Sequence, residues 1–143
     1  MEKSERSIAE IMEEVHRSDP APIFLGAIFM KHNNLHMQFD RFYTLFKIIK
    51  DGEFPYPESM EEKIESVELR DRGQYIESEQ IESMFSRLCV SGSIQWYDRV
   101  TPRSSDYQLT DKATLTFLNE YQDDYEALEF FERCGDYLEI RDE

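Results

Sequence analysis

The sequence is short of cations. Sixteen Lys and Arg stand against 31 Asp and Glu, which leaves a formal net charge of −15 over 143 residues. A field of that sign repels phosphate backbones and anionic lipid headgroups at a distance, so any nucleic-acid contact has to be local. Cysteine is scarce too. Cys89 and Cys134 are the two present, and their spacing fits neither a metal knuckle nor a redox pair. Cys89 follows Leu88 on an apolar helix face, which reads as a buried free thiol and points to a reduced, cytoplasmic setting. The apolar run Ile23 to Met30 falls far below the roughly 20 residues that cross a bilayer, and it follows an acidic segment, the wrong flank for a secretion signal. No membrane association is expected.

Catalytic motifs are missing as well. No Gly-rich phosphate loop, nucleophile elbow, Ser/His/Asp set or Cys/His set occurs. His32 and His36 stand four apart, the spacing that lets two imidazoles share a metal on one helix face. Asn33-Asn34 interrupts that helix, and no neighbouring Cys, Asp or Glu completes the set. Asp123 and Asp124 are adjacent, so on a helix they diverge and form no carboxylate pair. The expectation is a protein without metal, cofactor or enzymatic activity.

Ten Phe, eight Tyr and one Trp are present, enough apolar area for a packed core despite the charge. The charge is unevenly spread: residues 111–143 carry −8, and residues 20–58 carry none net. Ile8, Ile11, Met12 and Val15 fall at i, i+3, i+4 and i+7, the stripe of an amphipathic helix. Asp19-Pro20-Ala21-Pro22 ends it. Ile23 to Met30 reads as a short buried helix breaking at Asn33-Asn34. Leu35, Phe39, Phe42, Phe46 and Ile49 share one helix seam that Asp51-Gly52 closes, and Phe54-Pro55-Tyr56-Pro57 follows as a stiff extended linker. Ser59 and Glu62 form a capping box for a helix carrying Met60, Ile64 and Val67, which stops near Gly73.

Ser78 caps the next helix, in which Ile81, Met84, Phe85 and Leu88 line one side and Gly92 ends the run. The period then changes from helical to alternating. Ile94 and Trp96 share one strand face with Gln95, Tyr97 and Arg99 on the other; Thr101 to Ser105 is a turn, and Tyr107 with Leu109 makes the return strand. Thr110 or Asp111 starts a last long helix through Leu115, Leu118, Tyr121, Tyr125 and Leu128 toward Arg133, with Gly135 as its end and Tyr137 to Ile140 as a short extended tail.

Helix, helix, hairpin with a basic loop, long helix is the order of a winged helix-turn-helix. The stretch from Ser83 to Trp96 resembles a recognition helix running through a Gly turn into the first wing strand. Tyr107-Gln108-Leu109-Thr110-Asp111-Lys112-Ala113 resembles the tyrosine-x-leucine-threonine-x-x-glycine phrase with which MarR-like and PadR-like small regulators leave the wing; Ala113 stands where glycine is usual. The expected fold is therefore α+β, mainly α: a helical extension over 1–34, a winged-helix core over 35–110, and a C-terminal helix with an acidic tail over 111–143.

By that resemblance, Ser78, Gln80, Ser83 and Arg87 on the recognition helix meet double-stranded DNA, and Arg99 and Arg103 anchor the wing on phosphate or in a narrow minor groove. Ile8, Ile11, Tyr121, Tyr125 and Leu128 are the residues expected to join two copies in a homodimer, because the aromatic run of the last helix covers more than one face. Glu79 and Glu82 point the other way. They stand where a DNA reader needs amides or cations, and they fit an acidic adaptor or inhibitor that binds a basic protein. Both roles, DNA-binding transcription regulation and protein–protein interaction, remain open at the level of sequence.

Overall fold

The computed structural model describes residues 20–99 and 104–140, with backbone alone at Asp98, Arg99 and Ser104. Ten residues without a charge among them, Ala21–Met30, form helix α1. A helix apolar on every side has no face for water and has to be covered all round. Ile23, Phe24, Ala27 and Ile28 are fully buried. The Phe24 ring meets Phe39, Phe42, Phe85 and Tyr107 at centroid separations of 5.3–6.3 Å, all edge-on. The helix that the sequence assigns to an extension over 1–34 is thus the centre of the core, whose other members run from Leu35 to Leu138.

After Lys31 the chain reverses through His32 and Asn33, at φ 57° and 60°. Asparagine tolerates this left-handed region because its short amide bonds locally. The Asn33 carboxamide donates to the Leu109 carbonyl at 3.2 Å and accepts the Leu109 N–H at 2.6 Å, as a strand residue would. Strand β1 (Leu35–Met37) continues this pairing, with Leu35 opposite Tyr107 and Met37 opposite Ser105. Leu35 therefore belongs to a strand and not to the helix seam. Helix α2 starts at Asp40, runs to Lys50 and buries Phe42, Leu45, Phe46 and Ile49.

A 3-10 turn at Glu58–Met60 leads into the five-residue helix α3 (Glu61–Glu65). The capping box expected from Ser59 and Glu62 does not form: Ser59 lies inside the turn, and Met60 holds the cap position without a side-chain bond. Strands β2 (Arg70–Asp71) and β3 (Ile76–Glu77) then make a small hairpin about Gly73, whose φ is 88°. Helix α4 (Glu79–Val90) follows, capped by Ser78 and turned at Gly92, φ 73°. Strands β4 (Ile94–Arg99) and β5 (Ser104–Leu109) pair antiparallel with Trp96 opposite Tyr107, so the three-stranded sheet has the order β1-β5-β4.

Two helices, not one, complete the chain. Helix α5 (Asp111–Tyr121) stops at Gln122-Asp123, and α6 (Tyr125–Leu138) restarts where the Asp124 carboxylate accepts the Ala127 N–H at 3.1 Å. Gly135 does not end α6. It lies inside that helix against α1, where an added Cβ would stand 3.0 Å from the Ala27 carbonyl oxygen; at Gly26 on α1 an added Cβ would stand 2.3 Å from the Phe131 ring. These two glycines let α1 and α6 approach closely, with the Phe131 ring seated over Gly26 and the Ala27 carbonyl beside Gly135. Lys31 clasps the crossing by bonding Asp136 and lying 3.5 Å from Glu139. Tyr137 and Leu138 are helical, and the expected extended tail is confined to Glu139 and Ile140, whose N–H donates to the His36 carbonyl at 2.8 Å. The architecture is α+β and mainly helical. Among the described residues no helix is long and apolar enough to cross a membrane.

Candidate interaction surface

Helix α4 turns Ile81, Met84 and Leu88 to the core and leaves Glu79, Glu82, Ser83, Ser86, Arg87 and Val90 exposed. Ser78 is buried, and its hydroxyl accepts the Ile81 N–H at 3.3 Å. Gln80 accepts the Glu68 N–H at 3.3 Å and donates to the Ser66 carbonyl at 3.4 Å, fastening the end of α3 to α4. Two of the four residues expected to face bases are thus spent inside the protein. Ser83 and Arg87 do face outward, with the Arg87 Nε donating to the Ser83 carbonyl at 3.3 Å. The outward groups nearest the start of the helix are carboxylates.

Arg99 closes β4 opposite Ser104, and Arg103 lies outside the described residues. What β4 does present is aromatic: Trp96 is 43% and Tyr97 57% exposed. Trp96 leans on Phe85, with ring centroids 6.2 Å apart, so its position is set by α4.

A cleft of about 520 Å³ opens between α2 and the β2–β3 hairpin, walled by Asp40, Tyr43, Thr44 and Lys47 on one side and Asp71, Gln74, Tyr75 and Ile76 on the other. Tyr75 is 62% exposed at its lip. The Tyr43 hydroxyl is pushed up to about 12, first by burial and then by the negative charges of Glu82 and Asp40. Glu82 thereby joins the cleft electrically to the outer face of α4. The nearby cations are already engaged: Lys47 bonds Asp51 at 3.0 Å, and Arg72 bonds Glu77 at 2.8 Å. What remains is an aromatic cleft with an acidic rim, suited to a cationic side chain stacked on tyrosine.

Sequence reasoning missed this cleft, because its second wall is a hairpin of two-residue strands. The available signal was Asp71-Arg72-Gly73, a turn between Leu69 to Asp71 and Tyr75 to Glu77. The Gly73 N–H donates to the Asp71 carboxylate at 2.8 Å.

Of the residues expected at a homodimer interface, Tyr121, Tyr125 and Leu128 lie among the described residues and differ in exposure. Tyr121 is 5% exposed, packed on Phe117 and Phe131 at 5.2 and 5.3 Å, whereas Tyr125 is 75% exposed. Leu128 is half-buried against the core, and Ile8 and Ile11 lie outside the described residues. His32 is exposed in the turn after α1, and His36 is buried in β1 with its Nδ1 3.4 Å from Asp106 Oδ1. The two imidazoles sit on different elements. Among the described residues no group of three or more His, Cys, Asp or Glu is placed to hold a metal. Both cysteines are free thiols; Cys134 is buried, and burial pushes its thiol well above the usual range. Comparison with known proteins finds no match among family models, curated proteins or solved structures.

Proposed function

We propose that this chain is a non-catalytic winged-helix interaction module that binds a basic protein segment along the outer face of α4 and in the adjoining Tyr43–Tyr75 cleft. The observation that carries the reading is the state of α4: Ser78 and Gln80 are consumed by internal bonds, while Glu79 and Glu82 face outward beside an aromatic, acid-rimmed opening. Tyrosines supply contact area at low entropic cost, and complementary charge steers encounter. The two free thiols suit a reduced cytoplasmic compartment.

Fluorescence anisotropy with a labelled Lys/Arg-rich peptide tests the reading. Binding is expected to weaken with salt. It should also weaken about fivefold in Glu79→Gln/Glu82→Gln, from about 0.5 kcal/mol per exposed pair. Equal binding by parent and variant at low salt would remove the reading's support.

A second reading, a DNA-binding transcription-regulator-like homodimer, is favoured by the chain path. The order helix, strand, helix, helix, small hairpin, helix and hairpin, with the sheet ordered β1-β5-β4, is compatible with α4 as a recognition helix, and the Tyr107 to Ala113 phrase leads out of β5. On it, Ser83, Arg87, Arg99 and Arg103 contact duplex DNA and the acidic tail faces away. Random duplex binding at low salt that is lost in Arg99→Ala/Arg103→Ala would establish it over the first.

A further inference from the structure

Strand β4 is the last strand of its sheet, and the bonds around it show which backbone groups point away from β5. The Thr110 N–H donates to the Ser93 carbonyl at 3.0 Å, so Ser93 faces β5 and, by alternation, so do Gln95 and Tyr97. On the far side of β5, the Leu109 amide and carbonyl are taken by Asn33, which fixes the same alternation from the other edge. The N–H and C=O groups of Ile94, Trp96 and Asp98 are therefore directed outward, and among the described residues no strand lies beyond them. An edge of this kind is a template for one more extended backbone.

Composition selects what adds to that edge. From Ser83 to Tyr97 the chain carries no carboxylate, in a protein with 31 of them over 143 residues, and Arg87 is the one charged residue of the stretch. Val90, Trp96 and Tyr97 within it are exposed. A basic segment finds no countercharge there and is drawn to Glu79 and Glu82 instead. Two copies of a chain with net charge −15 repel least across a strip of this sort, poor in charge and rich in aromatics as the centre of an interface is. We infer that a second copy of this chain pairs with β4, edge to edge and antiparallel, about a two-fold axis at Trp96. Such pairing joins outward groups to outward groups, and the register that uses all of them sets Ile94 against Asp98 of the second copy and Trp96 against its own equivalent. Gln95 then lies opposite Tyr97 of the second copy on the exposed face, and no carboxylate stands opposite another. The two sheets become one across the axis, and the two indoles, each leaning on its own Phe85 at 6.2 Å, are brought together there. This surface is separate from Tyr121, Tyr125 and Leu128, which lie on α5 and α6.

Sedimentation equilibrium of the full-length chain tests this. The parent is expected to dimerise at submillimolar concentration, and several-fold more tightly as salt screens the acid, the reverse of the salt effect expected on a basic peptide; either result can therefore fail without the other. Gln95→Glu/Tyr97→Glu sets like charges across the axis at exposed positions and is expected to be monomeric, as is Gln95→Lys/Tyr97→Lys, and mixing the two should restore a dimer. Circular dichroism checks that each variant keeps its fold. The register is read with cysteines in a Cys89→Ser background, Cys134 being buried. Gln95→Cys mixed with Tyr97→Cys places the thiols on Cα atoms about 4.5 Å apart, a span that a disulfide bridges, and is expected to cross-link several-fold more than either variant alone. A monomeric parent, a dimer untouched by both charged variants, or equal cross-linking in the mixture and the single variants overturns the inference.

Discussion

The crossing of α1 with α6 and the outer face of α4 handle charge in opposite ways. At the crossing, glycines at 26 and 135 bring two helices together, aromatic rings fill the remainder, and the cation Lys31 is bonded to Asp136 with Glu139 beside it. Burial lowers the Lys31 pKa, and the two carboxylates outweigh that and leave it raised. On the outer face of α4, Glu79 and Glu82 stand in water beside two tyrosines and a cleft. One region completes its interactions within the fold, and the other leaves them open. Stability is therefore expected to reside in the first region and recognition in the second.

Substitutions should separate the two regions in a graded series. Phe24→Ala removes a ring that contacts four others and is expected to cost about 3–5 kcal/mol, read as a lowered urea midpoint. Gly26→Ala drives a methyl into the Phe131 ring and should cost about 1–3 kcal/mol in the same assay. Ser78→Ala removes the cap of α4 and should cost about 1 kcal/mol while peptide binding changes little, since that hydroxyl is turned inward. Equal losses of stability from Phe24→Ala and from Glu79→Gln/Glu82→Gln would erase the distinction between the regions.

The smallest effect lies in the pH dependence at Tyr43. Its folded hydroxyl titrates near 12 against an ordinary 10. Between those values the folded chain holds a proton that the unfolded chain has lost, so the contribution is complete below pH 10 and disappears as pH rises toward 12. Absorbance at 295 nm, parent minus Tyr43→Phe, should show one tyrosine titrating late. A difference curve centred near 10 would place Tyr43 in ordinary solvent.

What could be read from sequence was local. The cap at Ser78, the reversal at Gly92 and the alternation from Ile94 are written within a few residues of where they act, and α4 with its hairpin follows from them. Sequence spacing assigns Leu35 to a helix because a three-residue strand has no period of its own; its partner Tyr107 lies far along the chain. Gly135 resembles a helix stop, but its role is contact with α1, which a one-dimensional pattern does not contain. The same limit hid the break at Asp123, since Leu118, Tyr121, Tyr125 and Leu128 keep helical spacing across it. The cleft needed three elements to be placed before Tyr43 and Tyr75 faced one opening. Ser78 caps α4 and Gln80 lies in its first turn, and their inward bonds depend on Ile81 above and Ser66 and Glu68 across from them.

The most direct test is an amide chemical-shift titration of the isotope-labelled full-length chain, run once with a Lys/Arg-rich peptide and once with random duplex DNA at low salt. The account predicts peptide-induced shifts at Tyr43, Tyr75, Glu79 and Glu82 and an unchanged spectrum with duplex. Shifts at Ser83, Arg87 and along β4 and β5 with duplex, together with none from the peptide, would contradict it.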